Sequence, residues 1–192
     1  TSPQAVVIDG TGAPFRVQFD LAATRIAGQL FMSDGATPAP GAAVGLVRAG
    51  ALAALAATDQ QGRFAFAVFA PGTCQLAAIG ADLGCAIGAP IPVTLADPLL
   101  THDLVAGSAE LRVSVQGPGG EAVADAAVTV RPAELPPFLA SLAGSTGPGG
   151  GVAFAHLAPA TYRVHVTAPG MAARASDIEV PPDGATLNVQ LD

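Results

Sequence analysis

The chain has 192 residues, a formal net charge of −7 and a hydrophobic share of 51%, yet only 5% of it is aromatic and it holds no tryptophan. All eight basic residues are arginines, scattered along the chain, so it lacks the basic stripe that nucleic acid would require. With 23 glycines and 17 prolines interrupting its apolar runs, long helices and membrane insertion are not expected, and the many short apolar segments point to an all-β sandwich or barrel.

Residues 4–23, AVVIDGTGAPFRVQFDLAA with its leading Gln4, read as two strands around a Gly/Pro turn. In the second of them Phe15, Val17, Phe19 and Leu21 alternate with Arg16, Gln18 and Asp20, the period of a half-buried strand. The Thr-Ser-Pro start reads either as a mature end left after signal removal or as that of an excised fragment.

A strand is predicted over Ile26–Met32, then a Gly/Pro turn, then a small-residue strand over Ala42–Val47. Asp59 and Gly62 supply turn chemistry. Phe64 and Phe66 then alternate with Arg63 and Ala65. After the Pro71–Gly72 turn comes CQLAAIGADLGC, residues 74–85, two apolar runs around Gly80-Ala81-Asp82. Read as a hairpin, it places Cys74 and Cys85 near its open end, where they could form a disulfide. Such a closure would stabilise by about 2–3 kcal/mol and would imply an oxidising, extracytoplasmic compartment. The alternative is two thiols buried in the core.

The order of these features recurs. Residues 25–80 and 109–170 superimpose. Leu111–Val115 answers Ile26–Met32, and Ala126–Val130 answers Ala42–Val47. STGPGGGVAF answers TDQQGRFAF, and LAPATYRV answers FAPGTCQL. Tyr162, Val164 and Val166 are expected on one face, with Arg163 and His165 on the other. The irregular insertion 133–144 has Pro136-Pro137 placed to start a short helical turn, with Phe138, Leu139 and Leu142 on one side.

This pattern resembles the carboxypeptidase regulatory-like family, a transthyretin-like (prealbumin-like) branch of the Ig-type β-sandwiches. In the first repeat the resemblance is carried by Ile26, Gly28, Asp34, Gly35, Pro40, Gly41, Ala42, Val44, Thr58, Asp59, Gly62, Phe64, Phe66, Pro71 and Gly72. It is looser in the second, where Ser145–Gly151 stands in for T-D-x-x-G and Ala160 for the Gly after Pro. It implies two antiparallel Ig-like sandwiches in tandem and says little about function, since the fold hosts many. Related collagen-adhesin domains often carry a Lys–Asn isopeptide bond, which a chain without lysine cannot form.

Catalytic chemistry is not apparent. His102, His156 and His165 lack the spacing of a zinc site. Neither Cys74 nor Cys85 has a nearby His or Cys partner for catalysis. The aspartates form no D-x-D-x-D loop, and Ser114, Ser141 and Ser145 lack a nucleophile elbow. Residues 147–151, GPGGG, lack the lysine of a phosphate loop and read as a flexible hairpin tip. No catalytic, metal or cofactor site is expected.

Residues 89–107 and 176–192 each read as a closing hairpin, and the opening segment has the same form. The chain thus holds three closing elements for two sandwiches. The spare one is the tail of an upstream repeat, an extra strand pair on the first sandwich, or a strand donated to another copy. The resulting organisation is an N-terminal hairpin (1–24), a first sandwich (25–107) and a second (108–192). The expected role is a non-catalytic module of an extracellular bacterial fibre, stalk or pilus-like assembly, self-associating head to tail or packed against neighbouring repeats. Phe15, Val17, Phe19 and Leu21 would carry the contact between subunits. The alternative is a binding or spacer module of a secreted enzyme or receptor.

Overall fold

The computed structural model describes residues 23–136 and 141–192. The opening segment, with Phe15, Val17, Phe19 and Leu21, lies outside the described residues, as do Phe138 and Leu139 of the insertion. The described residues form strands and turns without a helix. In the first half these are β1 (Thr24–Phe31), β2 (Ala43–Arg48), β3 (Ala51–Ala57), β4 (Arg63–Val68), β5 (Gly72–Gly80), β6 (Gly84–Ile87), β7 (Ile91–Val93), β8 (Leu99–Thr101) and β9 (Leu104–Val105). In the second they are β10 (Ala109–Gln116), β11 (Ala127–Pro132), β12 (Leu142–Ser145), β13 (Gly151–Leu157), β14 (Ala160–Thr167), β15 (Arg174–Val180) and β16 (Ala185–Gln190).

Each half pairs into two sheets. The first half has β4–β1–β8, with β9 continuing along β1, facing β3–β2–β5–β6, with β7 beside β5. The second has β13–β10–β16 facing β12–β11–β14–β15. Period-2 alternation puts one face of each strand inside. Phe64, Phe66, Tyr162, Val164 and Val166 are buried, while Arg63, Arg163 and His165 are exposed, as their alternation predicts.

The repeat extends to individual hydrogen bonds. Thr58 Oγ1 donates to the Ala39 carbonyl at 2.6 Å and accepts from the Ala42 amide at 2.9 Å. Thr146 Oγ1 does the same with the Val123 carbonyl at 2.7 Å and the Ala126 amide at 2.9 Å. Both threonines are buried, which is tolerable because each hydroxyl is satisfied in both directions. The counterpart of Thr58 is therefore Thr146, not Ser145. Asp59 Oδ1 accepts from the Gln61 and Arg63 amides at 2.9 and 2.8 Å, tying the turn into β4. In the second repeat no carboxylate is needed. The Gly147 amide bonds the Gly151 carbonyl, and Gly150, at φ 72°, donates back to Gly147. The GPGGG tip, expected to be flexible, is a hydrogen-bonded turn, and the Gly150 carbonyl also accepts from Val115.

Other expectations change. The closing elements are not hairpins. β7 joins β5, whereas β8 and β9 join β1 in the opposite sheet, in parallel. Likewise β15 pairs with β14 while β16 runs parallel to β10. Each closing element arches from one sheet to the other. Alternation marks both strands but carries no information on which sheet each enters. The insertion yields β12 on the edge of β11, with Leu142 paired to Val130 rather than on a helical turn. β3, seven alanines and leucines, is an edge strand that the sequence reading did not single out.

Candidate functional site

The feature with the most elaborate geometry is the junction between the sandwiches. The second core is a cluster around Leu111, Val128, Tyr162 and Leu191, and it includes Val47, Ala77, Ile79 and Cys85 from the first half. The halves therefore share apolar packing, not merely a linker. At the centre the Cys85 carbonyl accepts two amides, Gly107 at 2.9 Å and Ala158 at 3.1 Å. Tyr162, fully buried, donates its hydroxyl to the Ala158 carbonyl at 2.7 Å. Burial pushes the Cys85 thiol up to about 11, partly offset by hydrogen bonds with the Tyr162 hydroxyl and the Ala158 backbone. Burial, reinforced by the neighbouring Cys85, likewise holds the Tyr162 phenol far above its ordinary range.

Two glycines permit the close approach. A Cβ on Gly107 would stand 1.8 Å from the Leu157 carbonyl oxygen, and one on Gly84 would stand 2.2 Å from that of His156. His156 itself is held at φ 58°, where β13 bulges, and its Nδ1 lies 2.8 Å from Ser33 Oγ in the first sandwich.

The expected Cys74–Cys85 disulfide is not formed. Both cysteines are free and buried. The hairpin exists, but its register pairs Ile79 with Cys85, while Cys74 faces Arg48 and Ile91. The turn is centred near Asp82, closer to Cys85 than to Cys74. Cys74 and Ile79 lie five residue steps apart along β5, about 17 Å of strand. The cysteines belong to different cores, and they lend no support to an oxidising compartment.

His102, His156 and His165 are exposed and dispersed over different strands and turns. No group of three or more His, Cys, Asp or Glu side chains with metal-binding geometry occurs among the described residues. Asp34 closes its own turn, accepting from the Thr37 hydroxyl, the Thr37 amide and the Ala36 amide, and these bonds lower its pKa to about 2. A groove of about 440 Å³ opens where the halves meet, bordered by Gln75, Ile87, Glu134, Pro159, Glu179 and Pro181. Among the described residues the large apolar side chains left most exposed are Leu55, Phe69, Leu99 and Val105. Among the described residues no helix is long and apolar enough to cross a membrane.

Residues 110–192 match the family model of the carboxypeptidase regulatory-like domain. The match falls on the second sandwich, although the motif reads more fully in the first. No curated protein matches the chain. Similar solved structures include the Bacillus anthracis TIE protein, at 15% identity and a TM-score of 0.39, covering 88% of this chain and 34% of that one. They also include the shaft pilin SpaA from Lactobacillus rhamnosus GG, at 11% identity and a TM-score of 0.37, covering 88% and 97%. A third is GBS52, the minor pilin of Streptococcus agalactiae, at 12% identity and a TM-score of 0.43, covering 88% and 95%.

Proposed function

We propose that the chain is a non-catalytic structural module of an extracellular, pilus-like fibre or stalk, assembling head to tail by strand addition. The observation that carries this reading is the shared core at the junction, which makes two sandwiches one mechanical unit. A chain that transmits force or spaces other domains needs that property, whereas two sandwiches on a free linker would bend. In this reading Phe15, Val17, Phe19 and Leu21 form the apolar face of a strand donated to a neighbouring copy, with Arg16, Gln18 and Asp20 facing water. Strand donation supplies main-chain hydrogen bonds and covers an otherwise open sheet edge. The test is electron microscopy and light scattering of the purified chain, with and without residues 1–22. Regular polymers lost on that deletion support the reading, and a monodisperse monomer in both sinks it.

The groove at the junction favours a second reading, a binding or spacer module of a secreted enzyme or receptor. Its volume lies in the range of ligand sites, and Glu134 and Glu179 on its rim would favour a cationic ligand. Saturable glycan or peptide binding by a stable monomer would select this reading over the first.

A further inference from the structure

The internal junction joins two parts, a turn of the second sandwich and a hairpin tip of the first. The turn is that between β13 and β14, where Ala158 is buried and donates to Cys85. The tip is that between β5 and β6, where Gly84 and Cys85 are buried. Because the chain is a repeat, each part has a counterpart in the other sandwich, and among the described residues both counterparts are largely exposed.

The counterpart of the turn is Phe69–Pro71, between β4 and β5. Thr24 pairs with Val68 as Ala109 pairs with Leu157, and Pro71 answers Pro159, so Phe69 and Ala70 together fill the place of the single residue Ala158. Ala158 is 6% exposed, and Phe69 is 58% exposed. The counterpart of the tip is Met171–Ala173, between β14 and β15. Ala78 pairs with Ala86 as Val166 pairs with Arg174, which puts Ala173 at the place of Cys85. Ala172 and Ala173 are exposed where Gly84 and Cys85 are buried. The bond from the Ala106 amide to the Phe31 carbonyl is repeated from Leu191 to Gln116, which puts Asp192 at the place of Gly107. As Gly107 touches the first tip, Asp192 touches the second, accepting from the Ala172 amide at 2.9 Å.

We propose that these two ends are the separated halves of a second junction, and that the Phe69–Pro71 turn of one copy docks the Met171–Ala173 tip of another. The occupant is the second sandwich of another copy of this chain. Phe69 on the turn meets Ala172 and Ala173 on the tip, a large side chain against small ones. The contact joins two different surfaces and does not close on itself, so repetition extends a line of copies. This inference rests on the assembly reading above and names its surfaces.

The test uses the full chain carrying Ala70→Cys in one preparation and Ala173→Cys in another, mixed under mild oxidation, beside sedimentation of the unmodified chain. Cys74 and Cys85 are buried and do not interfere. Cross-linked dimers are expected from the mixture, and a ladder of multimers from a chain carrying both substitutions. Phe69→Asp, at an exposed position that leaves the fold intact, is expected to weaken association at least tenfold and to remove the ladder. No intermolecular cross-link, or a ladder indifferent to Phe69→Asp, overturns the proposal. Filaments that vanish on deleting residues 1–22 but survive Phe69→Asp would overturn it while leaving the assembly reading intact. Cross-linking that depends on Phe69, in a chain that never forms filaments, would do the reverse.

Discussion

Replacing Gly107 by alanine tests whether the junction is a rigid element or a passive contact. The added Cβ would lie 1.8 Å from the Leu157 oxygen, 1.9 Å from its carbonyl carbon and 2.1 Å from the Ala158 nitrogen. All three obstacles are backbone, so no side chain can rotate away. Restoring a tolerable separation of 3.0 Å moves the two segments apart by about 1.2 Å. That displacement lengthens the bonds from Gly107 and Ala158 to the Cys85 carbonyl beyond hydrogen-bonding range, since they start at 2.9 and 3.1 Å. Two buried backbone bonds at about 0.5–1.5 kcal/mol each, with the loss of packing around them, give about 2–4 kcal/mol. In a chain of this length that corresponds to a melting point lower by about 5–15 °C. Gly149→Ala is the control, because nothing lies within 4 Å of its Cβ position. Calorimetry should show one cooperative transition for the unmodified chain and the control. Gly107→Ala should melt lower and split into two transitions as the sandwiches uncouple. A Gly107→Ala melting curve superimposable on the control would refute the reasoning.

Tyr162→Phe removes the 2.7 Å bond to the Ala158 carbonyl and leaves that buried oxygen short of a donor; urea unfolding should lose about 1–2 kcal/mol, and an unchanged midpoint would refute the role assigned to the hydroxyl. The Cys85 thiol, raised from its ordinary 9.0 to about 11, should resist alkylation of the folded chain at pH 8, and rapid labelling there would contradict its burial. Because folding disfavours the thiolate, its effect on stability is absent below about pH 9 and grows as pH rises to about 11, where it costs roughly 2–3 kcal/mol. Asp34 titrates in the opposite sense: its lowered pKa means the turn's extra stability is present above its ordinary pKa of 3.8 and is lost as pH falls through about 2. A carboxyl NMR titration with its midpoint near 3.8 would rule out the hydrogen bonds to Thr37 and Ala36.

The all-β class and the facing of the strands around Phe64, Phe66, Tyr162, Val164 and Val166 were readable because alternation is a local property. So was the repeat, because each copy needs the same turns at the same intervals. Thr146 was within reach too: a Thr ahead of a Gly-bearing turn is visible in both copies, but choosing between Ser145 and Thr146 requires knowing which hydroxyl points inward. The cysteine reading failed on register. Cys85 pairs with Ile79 rather than with Cys74, a shift of five positions, and an odd shift sets the two cysteines on opposite faces of the sheet, in different cores.

The junction was not legible at all. Gly84, Cys85, Gly107, Ala158 and Tyr162 are spread over nearly 80 positions, and none has a residue type or spacing that marks an interface. Composition, alternation and turn residues therefore determine that this chain makes two β-sandwiches, since those signals act within a few residues. Which sheet each closing strand enters, which thiol lies beneath which phenol, and how two sandwiches become one body depend on atoms meeting across long stretches of chain. Only the packed structure decides them, because their free energy comes from surfaces and hydrogen bonds that exist once both halves have folded.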